Sequence, residues 1–198
     1  PQKLYGREVE IATLLQTFEL VSHGQTEMML VAGYSGIGKT SLVQEIYKSI
    51  TNRRGYFIAG KFDQYQRNIP YAAIVAAFTH LVRQLLTESD TQLQQWREQF
   101  LAAFGGKGQV IIEVIPDVEL LVGKQPPVPQ LIPIEAQNRF NQVFQNFLRV
   151  CCQPQHPLVI FLDDLQWVDS ATLKLIELMV TDPETRYLFL IGAYRDNE

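Results

Sequence analysis

The segment Gly33, Tyr34, Ser35, Gly36, Ile37, Gly38, Lys39, Thr40 fits the pattern Gly-x-x-x-x-Gly-Lys-Ser/Thr, directly after an apolar run ending at Ala32 and before a helical segment from Ser41 to Ile50. No other feature constrains the chain as strongly as this order of strand, glycine-rich loop and helix. Small residues let the backbone wrap a phosphate so that successive N–H groups face its oxygens, and the following helix adds its positive N-terminal end. Lys39 then reaches the β and γ phosphates, and the Thr40 hydroxyl is placed to ligate Mg²⁺, which prefers oxygen. The expected phosphate-binding set runs from Gly33 through Ser41.

Three further apolar runs have strand length: Tyr56 to Ala59, Leu158 to Leu162 and Tyr187 to Ala193, alongside the first at Met28 to Ala32. They are continuous rather than alternating, as strands buried on both faces are, and this points to a parallel sheet. Between them, apolar residues recur at helical spacing in Ile11 to Val21, Tyr71 to Leu85 and Phe140 to Cys151, and in a shorter helix from Ser170 to Val180 with Asp169 as its N-cap. The expected fold is a doubly wound α/β layer with a mainly parallel sheet sandwiched by helices. Roughly a hundred residues separate the second and third strands, far more than the ~10–12 of a minimal crossover, so residues 61–152 are read as a mostly helical insertion within a single domain. It includes a helical stretch around Leu93 to Phe104 and a Pro-rich loop, Gln125 to Pro133, whose PxxP spacing is common in connectors between helices.

A buried strand that ends in acid is the second half of such a phosphate site. Leu158 to Leu162 runs into Asp163 and Asp164; by position Asp163 holds Mg²⁺ through water, and Asp164 orients or deprotonates the water attacking the γ phosphate. Arg195 leaves the last apolar run. If that strand lies beside the other two, Arg195 points at the γ phosphate and can sense it or stabilise its charge; a solvated strand-end arginine is the alternative reading. Arg139 is expected in a surface ion pair.

Composition removes several classes. Seventeen basic against 21 acidic residues leave a net charge of −4, and no basic stripe with aromatics is present, so nucleic-acid handling of the helicase type is not expected. Charged residues are only 19% against the usual ~25%, and glutamine replaces part of the missing charge. No run of about eighteen apolar residues suggests a membrane span. The two cysteines, Cys151 and Cys152, are adjacent and cannot staple distant parts of the fold, so a reducing, cytoplasmic setting is expected. The chain opens on Pro1 and ends on Glu198 just past a strand, which leads us to expect a piece of a longer protein.

Taken together, Leu4-Tyr-Gly-Arg-Glu8, the phosphate loop, Phe161-Leu-Asp-Asp-Leu-Gln-Trp-Val-Asp169 and Gly192-Ala-Tyr-Arg-Asp-Asn-Glu198 resemble the AAA-like ATPase domain of STAND-class P-loop NTPases, as found in multidomain sensor kinases. The resemblance covers essentially the whole chain. It implies that Gly6 and Arg7 lie by the adenine and that Arg195 is a phosphate sensor. It also implies a fifth strand beside the phosphate-loop strand and a lid, neither of which is expected within these 198 residues, so the Met28 to Ala32 strand should stand at an exposed edge. The cofactors implied are ATP and Mg²⁺, and the partners are ATP or ADP and the kinase, sensor or lid domains of the same polypeptide, with oligomerisation left open. The expected role is a slow ATPase serving as a regulatory switch, with Lys39, Asp164 and Arg195 as its catalytic groups; a degenerate scaffold for protein interaction is the alternative.

Overall fold

A computed structural model describes residues 7–33 and 39–196, with Lys39 and Thr40 described by backbone alone. Its four strands, β1 (Thr26–Ala32), β2 (Tyr56–Lys61), β3 (Leu158–Asp163) and β4 (Leu188–Tyr194), form one parallel sheet in the order β1-β4-β3-β2. Because side chains alternate across a strand, a continuous apolar run supplies two cores at once. Leu158, Ile160 and Leu162 of β3 with Leu188 and Leu190 of β4 enter the larger core, while Val159, Phe161, Phe189, Ile191 and Ala193 enter the smaller one.

The smaller core is closed by α1 (Glu8–Ser22), through Leu14, Phe18 and Val21, and by α2 (Lys39–Gln44) and α3 (Tyr47–Asn52), through Leu42, Val43 and Ile50. The expected single helix from Ser41 to Ile50 is broken here. The amide of Ile46 reaches the Val43 carbonyl, three residues back rather than four, and the ladder restarts in α3.

Helices α4 (Ala72–Leu85), α5 (Asp90–Phe104), α6 (Gly108–Ile112), α7 (Val118–Val122), α8 (Pro133–Cys151) and α9 (Ser170–Thr181) cover the other face. All but α9 belong to the stretch between β2 and β3. Phe78, Phe100, Phe104, Phe144 and Phe147 interlock there with ring centroids 5.2–6.1 Å apart. The insertion is anchored where α4 meets β2: a Cβ on Gly60 would stand 2.0 Å from the Ala73 carbonyl oxygen, so only glycine allows this approach. Asp169 caps α9, its Oδ1 accepting from the Thr172 amide at 2.8 Å. At the β1 edge of the sheet, Met28 and Leu30 are exposed on one face. Among the described residues, no helix is long and apolar enough to cross a membrane.

Candidate functional site

All four strands are parallel, so their C-terminal ends, and the loops that leave them, meet on one side of the sheet, where α/β folds of this kind bind ligands. Gly33, just after β1, adopts φ 153°, in the region that favours glycine, and its amide reaches the Tyr194 carbonyl at 3.3 Å. Tyr34, Ser35, Gly36, Ile37, Gly38 and Gly6 lie outside the described residues. The chain re-enters at Lys39 and Thr40, the first two residues of α2, with Ser41 after them. Arg7, at the head of α1, lines a cavity of about 200 Å³ beside Leu30 of β1 and Leu42 of α2.

The acidic strand end lies at the same level. Asp163 is the last residue of β3, and its Oδ1 accepts from the Asp164 amide at 2.8 Å. Asp164 takes a left-handed conformation, φ 54° and ψ 46°, which aspartate tolerates better than most residues. The turn aims its buried carboxylate along the sheet top. Arg195, next after β4, places Nε 3.2 Å from Asp164 Oδ1, and Lys61, the last residue of β2, places Nζ 3.4 Å from Oδ2. Gln166 ties the two neighbours together, donating to Asp164 Oδ1 at 3.3 Å and accepting from the Arg195 amide at 3.3 Å. A cavity of about 720 Å³ opens over this network, walled by Phe62, Gln64 and Trp167, with the Arg67 guanidinium 4.7 Å above the Trp167 ring.

The structure therefore brings Asp163, Asp164 and Arg195 to one end of adjoining strands. Arg195 is not a solvated strand-end arginine: it bonds to Asp164. Asp164 in turn meets cations on both carboxylate oxygens, so in this arrangement it is engaged rather than poised over water. Arg139 departs from expectation; its Nη1 donates to the Pro129 carbonyl at 2.6 Å, anchoring the Pro-rich loop, and no ion pair of its side chain is seen among the described residues. Lys61 and Gln166 escaped the sequence reading. β2 is two residues longer than the apolar run Tyr56 to Ala59, and those two residues carry Lys61 into register with Asp163. Pairing the two strands by their hydrophobic runs, then extending both to the acid, would have found it.

The donor set fits Mg²⁺ by chemistry: a carboxylate at the end of β3 and a hydroxyl residue at the start of α2 are hard oxygen ligands, of the kind this ion takes together with water.

The chain has relatives among known proteins. A family model described as an AAA ATPase domain matches residues 3–191. Over 178 residues the chain is 41% identical to hybrid signal transduction histidine kinase G of Dictyostelium discoideum, covering 90% of this chain and 5% of that protein. It is 19% identical over 191 residues to histidine protein kinase 1 of Candida albicans, covering 88% of this chain and 8% of the relative. The chain thus spans a small part of the length of these curated relatives. Among solved structures, the crystal structure of CDC6P from Pyrobaculum aerophilum aligns with a TM-score of 0.53 at 14% identity, over 99% of this chain and 41% of that one, a likeness of fold.

Proposed function

The chain belongs to the AAA ATPase domain family, a group of P-loop nucleotide-binding modules, and from that premise we propose that it binds ATP with Mg²⁺, hydrolyses it slowly and uses the exchange between ATP and ADP as a regulatory switch. One observation carries this reading: Arg195 and Lys61 meet on the carboxylate of Asp164 at the shared C-terminal end of the parallel strands, the end at which β1 also finishes, at Ala32. Asp164 there has both cations against it, and an incoming γ phosphate competes for the same guanidinium. When Arg195 turns from Asp164 to the phosphate, Asp164 Oδ1 loses its strongest partner and becomes able to accept a proton from an attacking water. Sensing and activation are then one exchange of partners.

In this reading Lys39 and the loop from Gly33 to Thr40 would hold the phosphates, Ser41 would follow them at the start of α2, and Gly6 with Arg7 would contact the adenine. Thr40 and Asp163 would hold Mg²⁺, which when bound neutralises charge on the β and γ phosphates. Similarity to histidine kinases suggests that the parent protein signals, with this module acting on kinase, sensor or lid domains of the same polypeptide in a cytoplasmic setting.

Thermal-shift titration tests the reading. ATP with Mg²⁺ should raise the melting temperature, since a ligand at about a hundred times its Kd adds ~2.7 kcal/mol. ADP should give a smaller rise. Lys39→Ala should remove both. Absence of any shift with ATP and Mg²⁺ at millimolar concentration, or an undiminished shift in Lys39→Ala, overturns it and leaves the fold as an interaction scaffold.

A further inference from the structure

The opposite end of the sheet holds a cavity of about 740 Å³ that the nucleotide site does not use. It lies at the start of β2 and β3, about 17 Å from their C-terminal ends, Lys61 and Asp163, at ~3.3 Å per residue. Its floor is aromatic: Tyr56, Trp96 and His156 meet one another with ring centroids 4.8–6.0 Å apart. Side-chain amides form the walls. Gln95 and Gln99 project from one face of α5, Gln155 comes from the loop before β3, and none of the three makes a side-chain hydrogen bond among the described residues.

The charges at the rim set this cavity apart. Glu88, just past α4, accepts from the Tyr56 hydroxyl and, on its other oxygen, from Trp96 Nε1 at 2.9 Å. Both donors are neutral, so the carboxylate is fixed in place and its charge is left uncompensated. Arg54 lines the same cavity, yet the two do not pair, and neither has an ion-pair partner among the described residues. Opposite charges that share a cavity and stay apart are complementary to a ligand that carries both. His156 adds no charge at neutral pH, because burial holds its ring below the ordinary value against the opposing pull of the Cys151 carbonyl and Glu88.

We propose that this cavity binds a small zwitterion of the amino-acid class, with Arg54 receiving its carboxylate and Glu88 its ammonium. The planar guanidinium suits a carboxylate bidentately, the ammonium lies where the carboxylate and the aromatic faces both attract it, and the carboxamides can donate to or accept from the remaining polar groups. The volume is within the ~300–1,000 Å³ usual for small-molecule sites.

Isothermal titration calorimetry of the 198-residue chain, without nucleotide, with the twenty L-amino acids and then with the N-acetyl and carboxamide derivatives of whichever binds, tests this. At least one amino acid should bind, and each derivative, lacking one charge, should bind about tenfold more weakly or worse. Arg54→Gln should abolish the preference for acid over carboxamide, and Glu88→Gln the preference for free over acetylated amine. Arg54 is exposed, so its replacement leaves folding intact and keeps the test valid if Glu88→Gln unfolds. The proposal falls if no amino acid gives heat at about 10 mM, if both derivatives bind as well as the parent, or if uncharged polyols such as glucose or sorbitol bind in their place. Because no nucleotide is present, the result is independent of whether the phosphate site binds ATP.

Discussion

The two ends of the sheet treat charge in opposite ways. At the C-terminal ends, Lys61, Asp164 and Arg195 come from three different strand ends and satisfy one another within 3.4 Å. At the N-terminal ends, Arg54 and Glu88 share a cavity without pairing, and the carboxylate leans on a phenol and an indole instead. A ligand at the first end has to displace an internal partner, which costs affinity but couples binding to rearrangement. A ligand at the second end fills a gap already shaped for it. The same parallel sheet thus presents one cluster whose charges satisfy one another and one cavity whose charges do not, and the strand β2 touches both, with Tyr56 at one end and Lys61 at the other.

The largest effect expected is at the first end. Lys39→Ala should weaken ATP by at least about a hundredfold, as loss of one side of a close charge pair typically does, while leaving the amino-acid titration unchanged. A parallel loss at both ends would show that they are not separate sites. Next comes the strand that links them. Gly60→Ala drives a Cβ into the Ala73 carbonyl and should cost about 2–3 kcal/mol, lowering the melting temperature by about 5–10 °C, because backbone has to move. Gly105→Ala is the control: φ there is 56° with nothing within 4 Å, so only the left-handed penalty of about 1 kcal/mol applies. Equal losses would mean that α4 does not depend on its seat at Gly60. A smaller effect is expected within the ion network. A double-mutant cycle of Asp164→Asn and Arg195→Gln, read by denaturant unfolding, should give a coupling of about 1 kcal/mol without nucleotide, and ATP should reduce it as Arg195 changes partner. Coupling unchanged by ATP would mean that Arg195 keeps Asp164 as its partner when nucleotide is present.

The strands and the acidic end of this contrast were legible in the sequence; the cavity at the other end, Lys61 and the shorter helices were not, each for its own physical reason. The four apolar runs became the four strands; β3 and β4 are buried on both faces, as a continuous apolar run implies, whereas β1 at the edge buries Val31 and leaves Met28 and Leu30 exposed. Asp163, Asp164 and Arg195 followed, since each lies one or two residues past such a run. Lys61 did not, because Gly60 and Lys61 end β2 in residues that read as a turn, and the strand continues only because β3 pairs with it. Helix α8 starts at Pro133, seven residues ahead of its first stripe residue, Phe140, because its first two turns are solvent-exposed and carry no apolar stripe; proline at the first helical position was the available signal. Helices α6 and α7, five residues each, are too short to show a period and are held by the aromatic core around them. The cavity at the far end is assembled from positions 54, 56, 88, 96 and 156, whose proximity is a property of the sheet and the insertion together.

The smallest effect distinguishes the floor of that cavity from its rim. Burial lowers the His156 pKa in the folded protein below its ordinary value of 6.5, so the unfolded chain takes up the ring proton first as pH falls. The neutral ring's contribution is therefore fully present above pH 6.5 and is lost as the pH drops from there toward the folded-state value. Thermal melts between pH 7.5 and 5.5 should show a small loss of stability for the wild type that is absent in His156→Asn, which keeps an amide N–H donor for the Cys151 carbonyl but has no proton to gain over this range. Identical pH profiles for the two proteins would place the His156 ring in water rather than in the aromatic floor. The ammonium would then rest on Glu88 at the rim and on the Tyr56 and Trp96 rings of the floor alone.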